Sequence, residues 1–218
     1  MAKRTRTIGF QPTSPEQESA VEAIQSNAVT FLCGDAGTGK SYVAVGMAAK
    51  LIASGTYSRI ILCRPAVEAG EKLGSLPGGY DEKIDPYHTA IMELLDEFLI
   101  EERVKGNAIK TEQVVKKAAL AYMRGATLND CVVILDEAQN TTTGQMKMVL
   151  SRLGKEAKLI ITGDPKQCDL PPKSESGLAD AVARLTNVEG VAIVQFTTEL
   201  SNNRHPVVKE ILKRYEKK

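Results

Sequence analysis

Five short apolar runs constrain this chain more than any other feature: "AVTFLC" (28–33), "RIILC" (59–63), "CVVILD" (131–136), "KLIIT" (158–162) and "VAIVQF" (191–196). Most of them are almost continuously apolar, the pattern of strands covered on both faces, and amphipathic stretches of helical period separate them. That alternation predicts an α/β fold, a mainly parallel sheet between two layers of helices. With 218 residues, 43% of them hydrophobic, the chain can bury one large core, and a single domain over 1–218 is expected.

Between the strands, "DPYHTAIMELLDEFLIEERV" predicts a helix capped by Asp85 and opened by Pro86, with Ile91, Leu94, Leu95, Phe98 and Leu99 on one face. A last helix is expected to open at Pro206, with Val207, Val208, Ile211, Leu212 and Tyr215 as its stripe. The segment from about 69 to 129 has one clear helix and no convincing strand, so it reads as an insertion between core strands. Its front, "GEKLGSLPGGYDEKIDP", is loop-like.

Charge is balanced, 28 basic against 27 acidic residues, so any contact with nucleic acid must be local. Cys33, Cys63, Cys131 and Cys168 lie far apart and read as small thiols in a reducing compartment, not as a disulfide framework or zinc site. His88 and His205 lack partners at metal-ligand spacing. No run is long enough for a membrane span and "MAKRTRTIGF" lacks the apolar core of a signal peptide; a soluble cytoplasmic chain with no membrane partner is expected.

The first apolar run leads into "GDAGTGKS": Gly34, Asp35, Ala36, Gly37, Thr38, Gly39, Lys40 and Ser41. These fit G-x-x-x-x-G-K-[ST], with a strand before and the helix former "YVAVGMAAKLIA" after. In that setting loop amides face phosphate oxygens, Lys40 reaches the β and γ phosphates, and the Ser41 hydroxyl ligates magnesium. A phosphate loop needs further groups, and the ends of two other runs offer them. Asp136 closes "CVVILD" as a candidate magnesium-positioning carboxylate, and Glu137 beside it is the candidate general base or water-orienting group. "LIITGDPKQ" ends in Gly163, Asp164 and Gln167, and Gln167 is placed to sense the γ-phosphate or its water; a plain turn around Asp164 and Pro165 is the simpler alternative.

The motifs "GDAGTGKS", "RPAVEAGEKLGSLPG", "AYMRGATLND", "VILDEAQNTT", "TGDPKQCDLP", "SGL" and "RHPVV", in this order, resemble the PhoH family of ATP-binding proteins from about Thr13 to Tyr215. The resemblance implies a RecA-like P-loop core similar to the first domain of superfamily-one helicases. It also implies ATP and magnesium as cofactors, ATP hydrolysis, a homo-oligomeric ring with a hexamer foremost, and RNA or single-stranded DNA as partner. Asp35 stands where the family usually has proline; its charge should point away from the phosphates. Ser41 replaces a frequent threonine and keeps the hydroxyl.

Carried over by position, Gln17 falls where related helicases read adenine, but Ser14-x-x-Gln17 is also a capping box, and both readings stand. Arg204 matches an arginine that a neighbouring subunit would deliver to the transition state, or it flanks the cap of the last helix. Arg64, at the end of "RIILC", resembles a nucleic-acid contact, or is a solvated strand-end arginine. A kinase and an ATP-gated binding module with little turnover remain as alternatives; the Asp136–Glu137 pair and Gln167 suit water attack better than transfer to an acceptor.

Overall fold

The computed structural model describes residues 9–65, 80–102, 110–171 and 174–197, with Val207, Ile211 and Arg214 beyond them. Among these residues one sheet contains strands β1 (Val29–Gly34), β2 (Arg59–Arg64), β3 (Val115–Ala119), β4 (Cys131–Leu135), β5 (Ala157–Gly163) and β6 (Val191–Phe196), in the spatial order β3-β2-β4-β5-β1-β6. Every pairing is parallel. The helices are α1 (Pro15–Ser26), α2 (Lys40–Ala53), α3 (Tyr80–Glu102), the single turn α4 (Thr111–Val114), α5 (Thr143–Leu150) and α6 (Gly177–Leu185).

Strand periodicity sorts the core into two layers. Leu32, Ile60, Leu62, Val132, Ile134 and Ile160 face one side, where Ile24, Val43, Met47, Leu95 and Leu99 of α1, α2 and α3 cover them. Phe31, Cys33, Val133, Leu135, Leu159 and Ile161 face the other, under Met146, Val149, Leu178 and Ala181 of α5 and α6. Burying each large side chain of this kind contributes about 1.5–3 kcal/mol. This is the three-layer arrangement that the sequence predicts.

Two local expectations differ. The region 69–129 does contribute a strand, β3, which pairs with β2 from Ile60↔Val115 to Arg64↔Ala119. "VKKAA" shows no apolar alternation because Lys116 and Lys117 are exposed; the edge position, not burial, holds it. Helix α3 begins at Tyr80, so Asp85 and Pro86 lie inside it and do not open it. Proline's fixed φ is helical, and it denies the helix one amide donor. The expected stripe is in place: Ile91, Leu95, Phe98 and Leu99 are buried, as is His88. Of the helix expected from Pro206, Val207, Ile211 and Arg214 are described; its opening residue lies outside the described residues. No described helix is long and apolar enough to cross a membrane.

One buried charge stitches the layers. Lys158, 6% exposed on β5, donates from Nζ to the carbonyls of Ile24 and Asn27 at the C-terminal end of α1, satisfying groups that no helical amide can reach. Burial lowers its pKa. Replacing Lys158 with methionine should cost about 1–3 kcal/mol in urea unfolding, because those carbonyls lose their donor while the stem's packing is kept. An unchanged midpoint would mean that water serves them equally well.

Candidate active site

Because β4, β5 and β1 are adjacent and parallel, their C-terminal ends open on one edge of the sheet. A cleft of about 250 Å³ lies there, lined by residues of the 34–41 loop, by Asp136 and Glu137 after β4, and by Gly163, Asp164 and Gln167 at the end of β5. The structure therefore brings together the three stretches that sequence spacing singled out.

The loop after β1 turns on its glycines. Gly39, at φ +92, is the N-cap of α2, and a Cβ there would sit 2.5 Å from the Gln17 amide nitrogen. Gly34 lies against the end of β6, where a Cβ would meet the Phe196 carbonyl oxygen at 2.1 Å. Both positions therefore exclude side chains, and Ala36, Gly37, Gly39, Lys40 and Ser41 line the cleft. Lys40, 8% exposed, folds its ammonium onto the carbonyl oxygens of Gly34 and Asp35, each at 2.7 Å. Burial lowers its pKa, opposed by the carboxylates of Asp164, Glu137, Asp136 and Asp35.

Asp136 and Ser41 meet although 95 residues separate them: the Ser41 hydroxyl donates to Asp136 Oδ1 at 3.1 Å, and Thr162 Oγ1 on β5 donates to the same oxygen. One hydroxyl and one carboxylate, both hard oxygen donors, are the protein share of a magnesium site whose other ligands are phosphates and waters. The pair fits that ion. Among the described residues no three His, Cys, Asp or Glu side chains gather into a metal-binding cluster.

Glu137 follows in the left-handed region, φ +53, a strained conformation for a residue with a Cβ. It turns the chain out of β4 into a 3-10 turn, Ala138–Asn140. Its carboxylate receives the Arg64 guanidinium at 3.5 Å and the Gln139 amide at 2.5 Å. Arg64 is thus engaged with the candidate base at the C-terminal edge of the sheet. The turn after β5 is built on Asp164, whose carboxylate accepts from the Lys166 amide at 2.9 Å, the Gln167 side chain at 2.9 Å and the Ala36 amide at 3.1 Å. The turn and the convergence on the cleft, alternatives in the sequence, coexist.

Asp35 is held outside the cleft by an ion pair, its two oxygens 2.8 and 3.1 Å from Lys166 Nζ. Gln17 is fully buried. The Ser14 hydroxyl accepts from its backbone amide, and its side-chain oxygen accepts from the Thr13 amide at 2.9 Å, so the cap is formed. Its amide nitrogen, against Gly39, has no hydrogen-bond partner among the described residues. Arg204 and His205 lie outside the described residues. Sequence reasoning missed Gln139, Thr162 and Lys166; polar side chains in or beside buried runs were the available signal.

Of the four cysteines, Cys168 alone is exposed; Cys33, Cys63 and Cys131 are buried. Burial pushes the Cys33 thiol up to about 11, against the pull of Lys40, and the Cys63 thiol up to about 12. Mild alkylation should therefore label one thiol per chain rapidly, and Cys168→Ser should abolish that fast phase. Fast labelling that survives the substitution would place another thiol at the surface.

A family profile described as PhoH-like protein matches residues 9–216. A PhoH-like protein of Mycobacterium tuberculosis (strain ATCC 25618 / H37Rv) is 44% identical over 219 residues, covering 99% of this chain and 60% of the relative. One from Bacillus subtilis (strain 168) is 44% identical over 214 residues, covering 98% and 64%. The chain thus spans less than two thirds of the length of these curated relatives. Among solved structures, the large terminase of a thermophilic bacteriophage superposes with a TM-score of 0.62 at 14% identity, over 94% of this chain and 50% of that one. A crystal form of that terminase in complex with ADP gives 0.55 at 12% identity, over 93% and 50%. The shared fold is that of RecA-like P-loop ATPases.

Proposed function

Since this chain belongs to the PhoH family, we propose that it binds ATP with magnesium at the edge of β4, β5 and β1 and hydrolyses it. The observation that carries this reading is the meeting of Ser41 and Asp136 at 3.1 Å in a cleft that also holds Lys40, Glu137 and Gln167.

The roles follow from chemistry and position. Loop amides from Gly34 to Ser41 and the N-terminus of α2 receive the phosphates, and Lys40 exchanges its carbonyl contacts for phosphate oxygens. Ser41 and Asp136 would hold magnesium, which would supply positive charge to offset that of the phosphates. Glu137 orients the attacking water and accepts its proton, and Gln167 offers an amide to the γ-phosphate. Gln17 backs the loop at Gly39, where its amide nitrogen is the group still able to donate. Asp35, neutralised by Lys166, adds no unpaired charge beside the phosphates.

Within the same proposal the protein is a cytoplasmic homo-oligomer, most simply a hexameric ring, in which Arg204 of one subunit completes the site of the next. RNA or single-stranded DNA is the proposed partner. Arg64 is its contact, and because that guanidinium also touches Glu137, phosphodiester binding there would alter the base's surroundings.

Glu137→Gln should retain ATP binding while phosphate release, measured with no added acceptor, falls at least about a hundredfold. Turnover equal to wild type would remove Glu137 from the mechanism, and phosphate release that requires an added acceptor would favour a kinase. For the ring, Arg204→Ala and Glu137→Gln subunits, each inactive alone, should recover activity when mixed. Full activity in a concentration-independent monomer would end the trans-arginine reading.

A further inference from the structure

Gln139 is 1% exposed, in the 3-10 turn directly after Glu137. Burying a carboxamide is unfavourable unless both its ends are hydrogen-bonded, and a purely packing position here would take an apolar side chain, as neighbouring Ala138 does. Both bonds are made, and both go to the active edge. Nε2 donates to Glu137 Oε2 at 2.5 Å, and Oε1 accepts from the Asp164 amide at 3.1 Å. The partners fix which way the amide faces: a carboxylate requires the NH₂ and a backbone N–H requires the oxygen.

The surroundings hold it in that pose. Its own carbonyl accepts from the Ser176 hydroxyl at 2.8 Å and the Cys168 thiol at 3.3 Å. Gly163 leaves the space that its side chain fills, for a Cβ there would lie 2.9 Å from Gln139 Oε1. From Asp164 the connection continues to the Gln167 amide and to Ala36 in the phosphate loop. A single side chain thus joins the strand end that carries the candidate base to the turn that carries the candidate phosphate sensor.

We infer that Gln139 is a positioning residue for hydrolysis: its carboxamide holds the Glu137 carboxylate and the Asp164–Gln167 turn in one register, so that base and sensor address the same phosphate together. The inference rests on the reading of Glu137 as the base. Asparagine is too short to span both partners, and glutamate would keep the bond to Asp164 while setting a like charge against Glu137.

The test uses the full chain with Gln139→Met, nearly isosteric but lacking both bonds, and Gln139→Glu, which retains one and carries the test if the methionine variant does not fold. In each, kcat should fall at least about tenfold while KM for ATP stays within about threefold. Combined with Glu137→Gln, Gln139→Met should lower the residual single-turnover rate by less than about twofold, because the register it sets between base and sensor matters only while Glu137 can act as the base. A merely structural role predicts instead an additive loss in the double variant, and that result overturns the inference. Wild-type kcat in both Gln139 variants, with Glu137→Gln inactive, overturns the positioning role alone. Wild-type turnover in Glu137→Gln overturns the base reading and this inference with it.

Discussion

A parallel sheet buried on both faces leaves its strand ends as the place where polar side chains can gather and satisfy one another, and the site follows from that constraint. The order β4-β5-β1 sets three such ends side by side. Each strand is mainly apolar and leads at its end into residues of the site: Gly34 opens the phosphate loop, Asp136 follows Leu135 and Asp164 follows Gly163. The sheet itself contributes only a few polar contacts, such as Thr162 to Asp136 and Arg64 to Glu137. It determines which loops are neighbours, and the ladder pins that choice at every residue.

Once the loops are neighbours, a few carboxylates bind them into one body. Asp136 joins β4 to α2 through Ser41 and to β5 through Thr162. Asp164 joins the β5 turn to the phosphate loop through the Ala36 amide. Each carboxylate accepts at least two hydrogen bonds, and charged acceptors make the stronger kind. The result is preorganisation: the polar groups are oriented by one another before any substrate arrives.

How much of this could be read in the sequence depended on how local the determining physics is. The phosphate loop was legible because its glycines, its lysine and its hydroxyl sit within eight residues, between a strand and a helix that announce themselves by period. Asp136, Glu137 and Gln167 were legible because each follows a buried run. β3 was not, since "VKKAA" becomes a strand by pairing with β2 and carries two exposed lysines. Gln139, Thr162 and Lys158 were hidden for one shared reason: each satisfies a buried polar group 25 or more residues away, and a polar letter in or just after an apolar run does not name its partner. The start of α3 was misplaced because proline is a weaker stop signal inside a helix than its frequency at first turns suggests.

Helix α1 touches the nucleotide loop at one end and Lys158 at the other. Its N-terminal Gln17 bears on Gly39, and its C-terminal carbonyls are gripped by an ammonium rooted in β5. In mechanical terms it is a brace: a rod with its foot in the sheet and its head against Gly39 of the loop. The strand that grips α1 is also the one that ends at Gly163, directly before Asp164, so the cleft's two walls share one foundation.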